Sequence, residues 1–322
     1  MTFPFSRKLT RLVAGSTLAL GFILTQQSVR AVEPDAMVPP DSEFVMAARP
    51  RQLLESPFLK AQGWDILLKT VLATNDTVQT ILETTGIDPF KDIESLQLAS
   101  KGQGPEADFM IVVRGKLNPK KISKAVEEQG ENSGAPVKKF KENGVTLWEL
   151  KTPGPSIFIG FQENKAVVAT NKKENLITCL TNGFQESVNS DLKTALEKVD
   201  GKEAVWAAGV ITEQARKGMD RQDDLKPLAD KMESWAVSFD MVDTMKFAID
   251  LYAKDAATAR ALKDLTENKF LPFLKERPAR GGDSEIKRRD AMMKQLKLET
   301  KGKSVSARMT VDAEMLKSLL PQ

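Results

Sequence analysis

The chain has no histidine and a single cysteine, Cys179. Without imidazole there is no Ser–His or Cys–His activation of a nucleophile. Histidine-ligated zinc and copper are excluded too, and one thiol makes neither a thiolate cage nor an intramolecular disulfide. Aromatic side chains are sparse, with one Tyr and four Trp, which argues against a sugar-stacking cleft. Any catalysis must run on Asp, Glu, Lys, Arg, Ser, Thr or Tyr252. Oxygen sites for calcium or magnesium stay chemically open, but EF-hand spacing is absent. No cofactor and no metal site is expected. Cys179 sits in the apolar stretch 176–180 and reads as a buried structural thiol.

The N-terminus has the layout of a secretory signal. Arg7, Lys8 and Arg11 form a positive segment, 12–24 an apolar one, and Val29-Arg30-Ala31 a small-residue cleavage site. Thirteen residues interrupted by Gly15, Ser16, Thr17 and Gly21 fall short of the roughly 20 that span a bilayer. Residues 1–31 are therefore expected to be cleaved, leaving an exported, periplasmic or extracellular protein with no membrane span. Their four basic and no acidic residues account for the chain's net +3. The remaining 291 residues carry 43 basic and 44 acidic side chains. No global charge favours nucleic acid as a partner.

Residues 32–42 hold Pro34, Pro39 and Pro40 and read as an extended arm. A strand at 44–48 precedes a mainly helical 50–85, closed by Gly86 and Pro89. Strands follow at 93–100 and 108–114. Asn118-Pro119 opens a helix as N-cap and first residue. Asn143-Gly144 joins strands 137–141 and 145–150 in a hairpin, and 157–161 with 165–170 form another. Asn171 with Glu174 resembles a capping box, and Ser190 is expected to cap a second helix.

The segment Glu43-Phe44-Val45-Met46-Ala47-Ala48 returns 160 residues later as Glu203-Ala204-Val205-Trp206-Ala207-Ala208. Helix, strand pair, helix and hairpin then repeat at 212–231, 234–253, 255–271 and 297–311, with a closing helix from Asp312. The expectation is an α+β fold of two related halves, 43–200 and 201–322. Each would be an antiparallel sheet with helices on one face.

A three-residue turn at 242–244 is expected to set Met241 opposite Phe247 and Phe239 opposite Ile249. That register makes one face apolar and leaves Asp240, Asp250 and Tyr252 on a solvated face. Asp240 and Asp250 would then be diagonal neighbours about 7–8 Å apart, a spacing open to paired-carboxylate hydrolysis. Water-facing surface charges explain the same pattern. Ser190-x-x-Lys193 and Ser284-x-x-Lys287 match the Ser-x-x-Lys of penicillin-recognising enzymes, but Ser-Asp-Asn and Lys-Thr-Gly companions are missing.

Residues 275–289 carry six basic and three acidic side chains around Gly281-Gly282. Arg280, Lys287, Arg288 and Arg289 are its candidate binding residues for a polyanion or acidic partner, against a plain solvated loop. Lys138, Lys139 and Lys141 read as protection of a sheet edge. Asn75-Asp76-Thr77 is a glycosylation sequon that carries no weight alone.

The signal segment, the strand at 43–48, Leu53-Leu54-Glu55-Ser56-Pro57, and Thr85-Gly86-Ile87-Asp88-Pro89 before Asp92-Ile93-Glu94 resemble the uncharacterised secreted proteins of planctomycete-type bacteria. The resemblance implies export and transfers no functional residue. The expected role is non-enzymatic binding of an unknown macromolecular partner in the cell envelope. A carboxylate hydrolase using Asp240 and Asp250 is one alternative, and a carrier of a small apolar ligand between the halves is another. N-terminal sequencing of the chain recovered from its native envelope is expected to begin at Val32. Recovery of an intact Met1 would contradict the cleavage expectation.

Overall fold

The computed structural model describes residues 37–315, except 62, 64–65, 67–69, 71–75, 105, 134–136, 153, 164, 243, 277–282 and 313. The signal segment, the start of the arm, the sequon Asn75 and Arg280 lie outside the described residues.

Twelve strands form one continuous antiparallel sheet rather than two. They are β1 (Phe44–Ala48), β2 (Ile93–Lys101), β3 (Asp108–Gly115), β4 (Val137–Glu142), β5 (Val145–Leu150), β6 (Ile157–Gln162), β7 (Ala166–Thr170), β8 (Val205–Val210), β9 (Met232–Met241), β10 (Met245–Ala253), β11 (Lys297–Lys301) and β12 (Ser304–Val311). The order across the sheet is β11-β12-β10-β9-β8-β1-β2-β3-β7-β6-β5-β4. The join is β1 against β8, with Val45 opposite Ala208 and Ala48 opposite Val205. Both strands alternate apolar side chains on two faces, so neither ends a sheet against water.

Helices lie on both faces, contrary to the one-face expectation. Call face B the side of Val45, Ala99, Met110, Thr170, Ala208 and Ala236, all at 3% exposure or less. The helices Lys173–Thr181 and Ser190–Leu196 cover it. Small residues let them come close. A Cβ built on Gly160 would stand 2.5 Å from Leu180 Cδ1, and Ala99, Ala208 and Ala236 form the floor under Leu192 and Leu196. The arm also packs here. Met37 and Val38, 4% and 3% exposed, sit in the two clusters of this face, so residues 37–42 are not a free polar extension.

The opposite side, face A, is covered at its flanks. On one flank Trp148 Nε1 donates to Glu127 Oε1 of the helix Pro119–Ser133 at 2.8 Å. On the other, Leu262 of Ala256–Leu265 meets Leu251 and Val305. Leu59 of Pro57–Ala61 packs with Met241, Met309 and Val311.

Several local expectations hold. Asn143 and Gly144 have φ of 49° and 84°, the left-handed pair that a two-residue hairpin needs. Asn118 Oδ1 accepts from Lys121 N at 3.2 Å, and Cys179 is buried. The strand with Lys138, Lys139 and Lys141 ends the sheet. Lys139 lies 4.9 Å from the Trp148 ring centre and pairs with Glu127.

Others do not. The second helix is capped by Asn189, whose side chain accepts from Asp191 N at 2.8 Å, and Ser190 is its first helical residue. Asn171 makes no capping box. Its Oδ1 accepts from Phe109 N and its Nδ2 donates to Ala107 O, tying β7 to the start of β3. The basic segment is helical over Asp283–Gln295, where Lys287, Arg288, Arg289, Ala291 and Met292 are good helix formers.

Leu192 is fully buried over an alanine floor and Leu98 is half-buried on face A. Leu192→Ala is expected to cost about 2–5 kcal/mol and Leu98→Ala less than half of that. Urea unfolding of both variants is the check.

Candidate functional site

Antiparallel pairing lines residues of successive strands into rows. One row on face A crosses the whole sheet: Lys139, Trp148, Ile159, Ala169, Ile111, Leu98, Met46, Ala207, Val237, Ile249, Ala307 and Leu298. Every member except the edge lysine is apolar, over about 50 Å at roughly 4.8 Å per strand. The flanks are covered by helices, yet the centre is not fully buried. Ile111, Leu98, Met46, Val237 and Ile249 are all half-buried, whereas Val45 next to Met46 is 1% exposed. Phe44 and Trp235 add an aromatic pair at 5.9 Å on the same side. The helix Pro50–Glu55 reaches the centre through Leu53, which packs with Phe239 and Met241, and the described apolar side chains around it stay half-covered.

The carboxylate candidates are not brought together. The turn spans three residues as expected, but Met241 pairs with Met245 and Phe239 with Phe247, two residues from the expected register. A shift of two keeps every side chain on its face and moves the pairs along the strand. Asp240 stands opposite Lys246 and Asp250 opposite Ala236. That leaves about 13 Å between them along the strand direction, beyond the span of a hydrolytic pair. Asp240 accepts from Gln52 Nε2 at 3.2 Å. Asp250 is 7% exposed and accepts from Ser306 Oγ and from Arg308 Nη2, the latter at 2.8 Å.

This side of the sheet is not the solvated face the sequence suggested. Ser234 and Tyr252, direct cross-strand partners at 0% and 4% exposure, bury hydroxyls that have no partner among the described residues. Burial pushes the Tyr252 phenol well up, and the neighbouring Asp250 carboxylate adds to the rise. The phenol is held as a neutral group.

Ser190 is exposed and its hydroxyl donates to the neighbouring Asp191 carboxylate at 3.5 Å, with Lys193 not among its partners, and Ser284 lies in the first turn of its helix. Lys287 is exposed and Arg289 half-buried. Among the described residues no group of three acidic or thiol side chains is set to hold a metal. A groove of about 380 Å³ lies between Arg49, Gln52, Ser56, Pro57, Glu94 and Val242. Arg49 Nη1 donates there to the Glu203 carbonyl at 2.9 Å.

The alternation that builds the face A row is visible in β1, β2, β3, β9 and β10 separately. Its incomplete cover is not, because that depends on where the helices settle. Glu203 also escaped the sequence reading. Burial raises its carboxyl above the ordinary glutamate range, and the nearby Asp200 charge adds to the rise.

No protein-family model matches the chain, and no curated protein matches it. Among solved structures it is similar to two crystal forms of TP0453. Form IV has 10% sequence identity and a TM-score of 0.45 over 90% of this chain and 96% of that one. Form I has 10% identity and a TM-score of 0.46 over 90% and 97%. A likeness at this level says nothing about what the chain binds.

Folded Glu203 holds its proton to higher pH than the unfolded chain does. Its contribution is therefore intact at acid pH and is lost as pH rises through the window between the two values. Glu203→Gln is expected to melt higher than the parent at pH 7.5, with the gap closing toward pH 4. Thermal melts across that range test this; a lower melting temperature for the variant at pH 7.5 would contradict it.

Proposed function

We propose that the chain is an exported binding protein for an apolar or amphiphilic ligand of acyl-chain type, taken up on the centre of face A. The reading is carried by one observation. The row Ile111–Leu98–Met46–Ala207–Val237–Ile249 is apolar throughout and, Ala207 apart, half-buried, while the adjacent row on the other face, Met110–Ala99–Val45–Ala208–Ala236–Asp250, is buried at 7% exposure or less. Ligand sites of this kind are mostly apolar and largely preformed. Further burial of such side chains contributes about 25 cal/mol per Å².

The organisation into two related units belongs to the same proposal. Val45 pairs with Ala208 and Ala48 with Val205. A shift of 160 residues exchanges these two pairs, which is the register of a two-fold axis between β1 and β8. The ligand floor then straddles that axis, where the two units meet. Export rests on the N-terminal signal pattern and on the resemblance to planctomycete-type secreted proteins.

The test is titration of the purified chain with a fluorescent long-chain fatty acid, read by ligand emission and by quenching of Trp235 on the same face. Saturable binding in the micromolar range is expected, at about −8 kcal/mol. Leu98→Asn and Val237→Asn should weaken it by about tenfold or more, whereas Lys138→Ala at the edge strand should not. A folded parent chain with no saturable binding would refute the reading.

A further inference from the structure

Face A runs into a charged groove where β1 stops and β2 starts. The pair Met46–Leu98 is followed on the same face by Ala48–Leu96. Arg49 comes directly after Ala48, and Glu94 stands at the register break between Ile93 and Ser95. Both line the groove of about 380 Å³, a usual size for a small-molecule site. Leu98 and Glu94 lie four residues apart on one strand, about 13 Å. The helix Pro50–Glu55 and the turn after β9 supply the rest of the lining. Ser56 Oγ donates to the Val242 carbonyl at 3.2 Å and so fixes that turn, whose Val242 side chain is one of the exposed large apolar groups. Four charges line the groove. Arg51 and Glu55 pair with each other at 2.8 Å. Arg49 is half-buried and its guanidinium bonds only a neutral group, the Glu203 carbonyl. Glu94 makes no hydrogen bond or salt bridge among the described residues, and Arg51 feels its charge only through space. One cation and one anion are thus left without an ionic partner at the end of the apolar floor.

We infer that this groove seats the phosphoethanolamine head of an acyl amphiphile, its phosphate on Arg49 and its primary ammonium on Glu94. The inference rests on the face A reading and names the class of amphiphile which that site takes. A purely anionic head would pair with Arg49 and set a like charge beside Glu94. A purely cationic head would do the reverse. A head that carries both signs satisfies both side chains. The planar guanidinium fork matches phosphate oxygens two at a time. A primary ammonium has N–H groups to donate to a carboxylate, which a quaternary one lacks. The carbon stems of Arg49 and Arg51, with Pro57 and Val242, give the groove apolar surface for the glycerol link. The acyl chain then runs from the groove past Ala48 and Leu96 to Met46 and Leu98.

Calorimetric titration of the purified chain tests it with four myristoyl ligands: lysophosphatidylethanolamine, lysophosphatidylglycerol, lysophosphatidylcholine and the free fatty acid. The ethanolamine ligand is expected to bind about tenfold tighter than the other three. Glu94→Gln should remove that preference and leave lysophosphatidylglycerol binding at least as strong as in the parent. Arg49→Gln should weaken all three phospholipids about tenfold. Glu94 is exposed, so Glu94→Gln should melt with the parent and keeps the test independent of any loss of fold in Arg49→Gln. Fatty acid bound with no preference for the ethanolamine head, or a preference that survives Glu94→Gln, would overturn the head-group assignment and leave the face A reading standing. A folded parent chain that binds none of the four ligands would overturn both.

Discussion

The ladder between β1 and β8 is the constraint on which the rest of the architecture depends. It makes one sheet of strands that the chain order would allow as two. It sets Val45, Ala208 and Ala236 in one fully buried row on face B, and Met46, Ala207 and Val237 in the row directly beneath on face A. Each strand contributes alternately to the two faces. A slip of one residue at this ladder would exchange the faces, turning the alanine floor under Leu192 away from its helix. The small side chains of β1 and β8 are thus fixed by helix packing on one side and leave an apolar surface on the other.

That division explains why the two faces differ although both are apolar. Close approach on face B requires Gly160, Ala99, Ala208 and Ala236, and the helices that fit there are short and densely buried. Face A carries larger side chains at its centre, including Phe44, Met46, Trp235 and Ile249, and its helices leave them half-buried. Half-buried apolar side chains over this width are the basis of the proposed ligand surface. The buried hydroxyls of Ser234 and Tyr252 and the raised carboxyl of Glu203 lie elsewhere.

Much of the secondary structure was legible from alternation and turn chemistry. Asn143-Gly144 and the lysine-rich edge strand were read from residues that act locally. The face assignment of β9 and β10 was also correct, because parity survives a register error of two. What failed depended on partners distant in sequence. Asn171 was spent on Phe109 and Ala107 rather than on a cap. The supposed wet face with Asp250 was closed by Ser306 and Arg308 of β12, which lie more than fifty residues away. The single sheet, the helices on both faces and the half-covered floor all follow from the pairing of β1 with β8, and no local pattern announces a pairing between strands 160 residues apart.

Native-state hydrogen exchange of the β1 and β8 amides tests this account most directly. If the ladder welds the sheet, those amides exchange only with global unfolding and share the highest protection with β2 and β9. If they exchange early while strands on either side stay protected, the two sets of strands are independent sheets, and the continuous apolar floor across them does not exist.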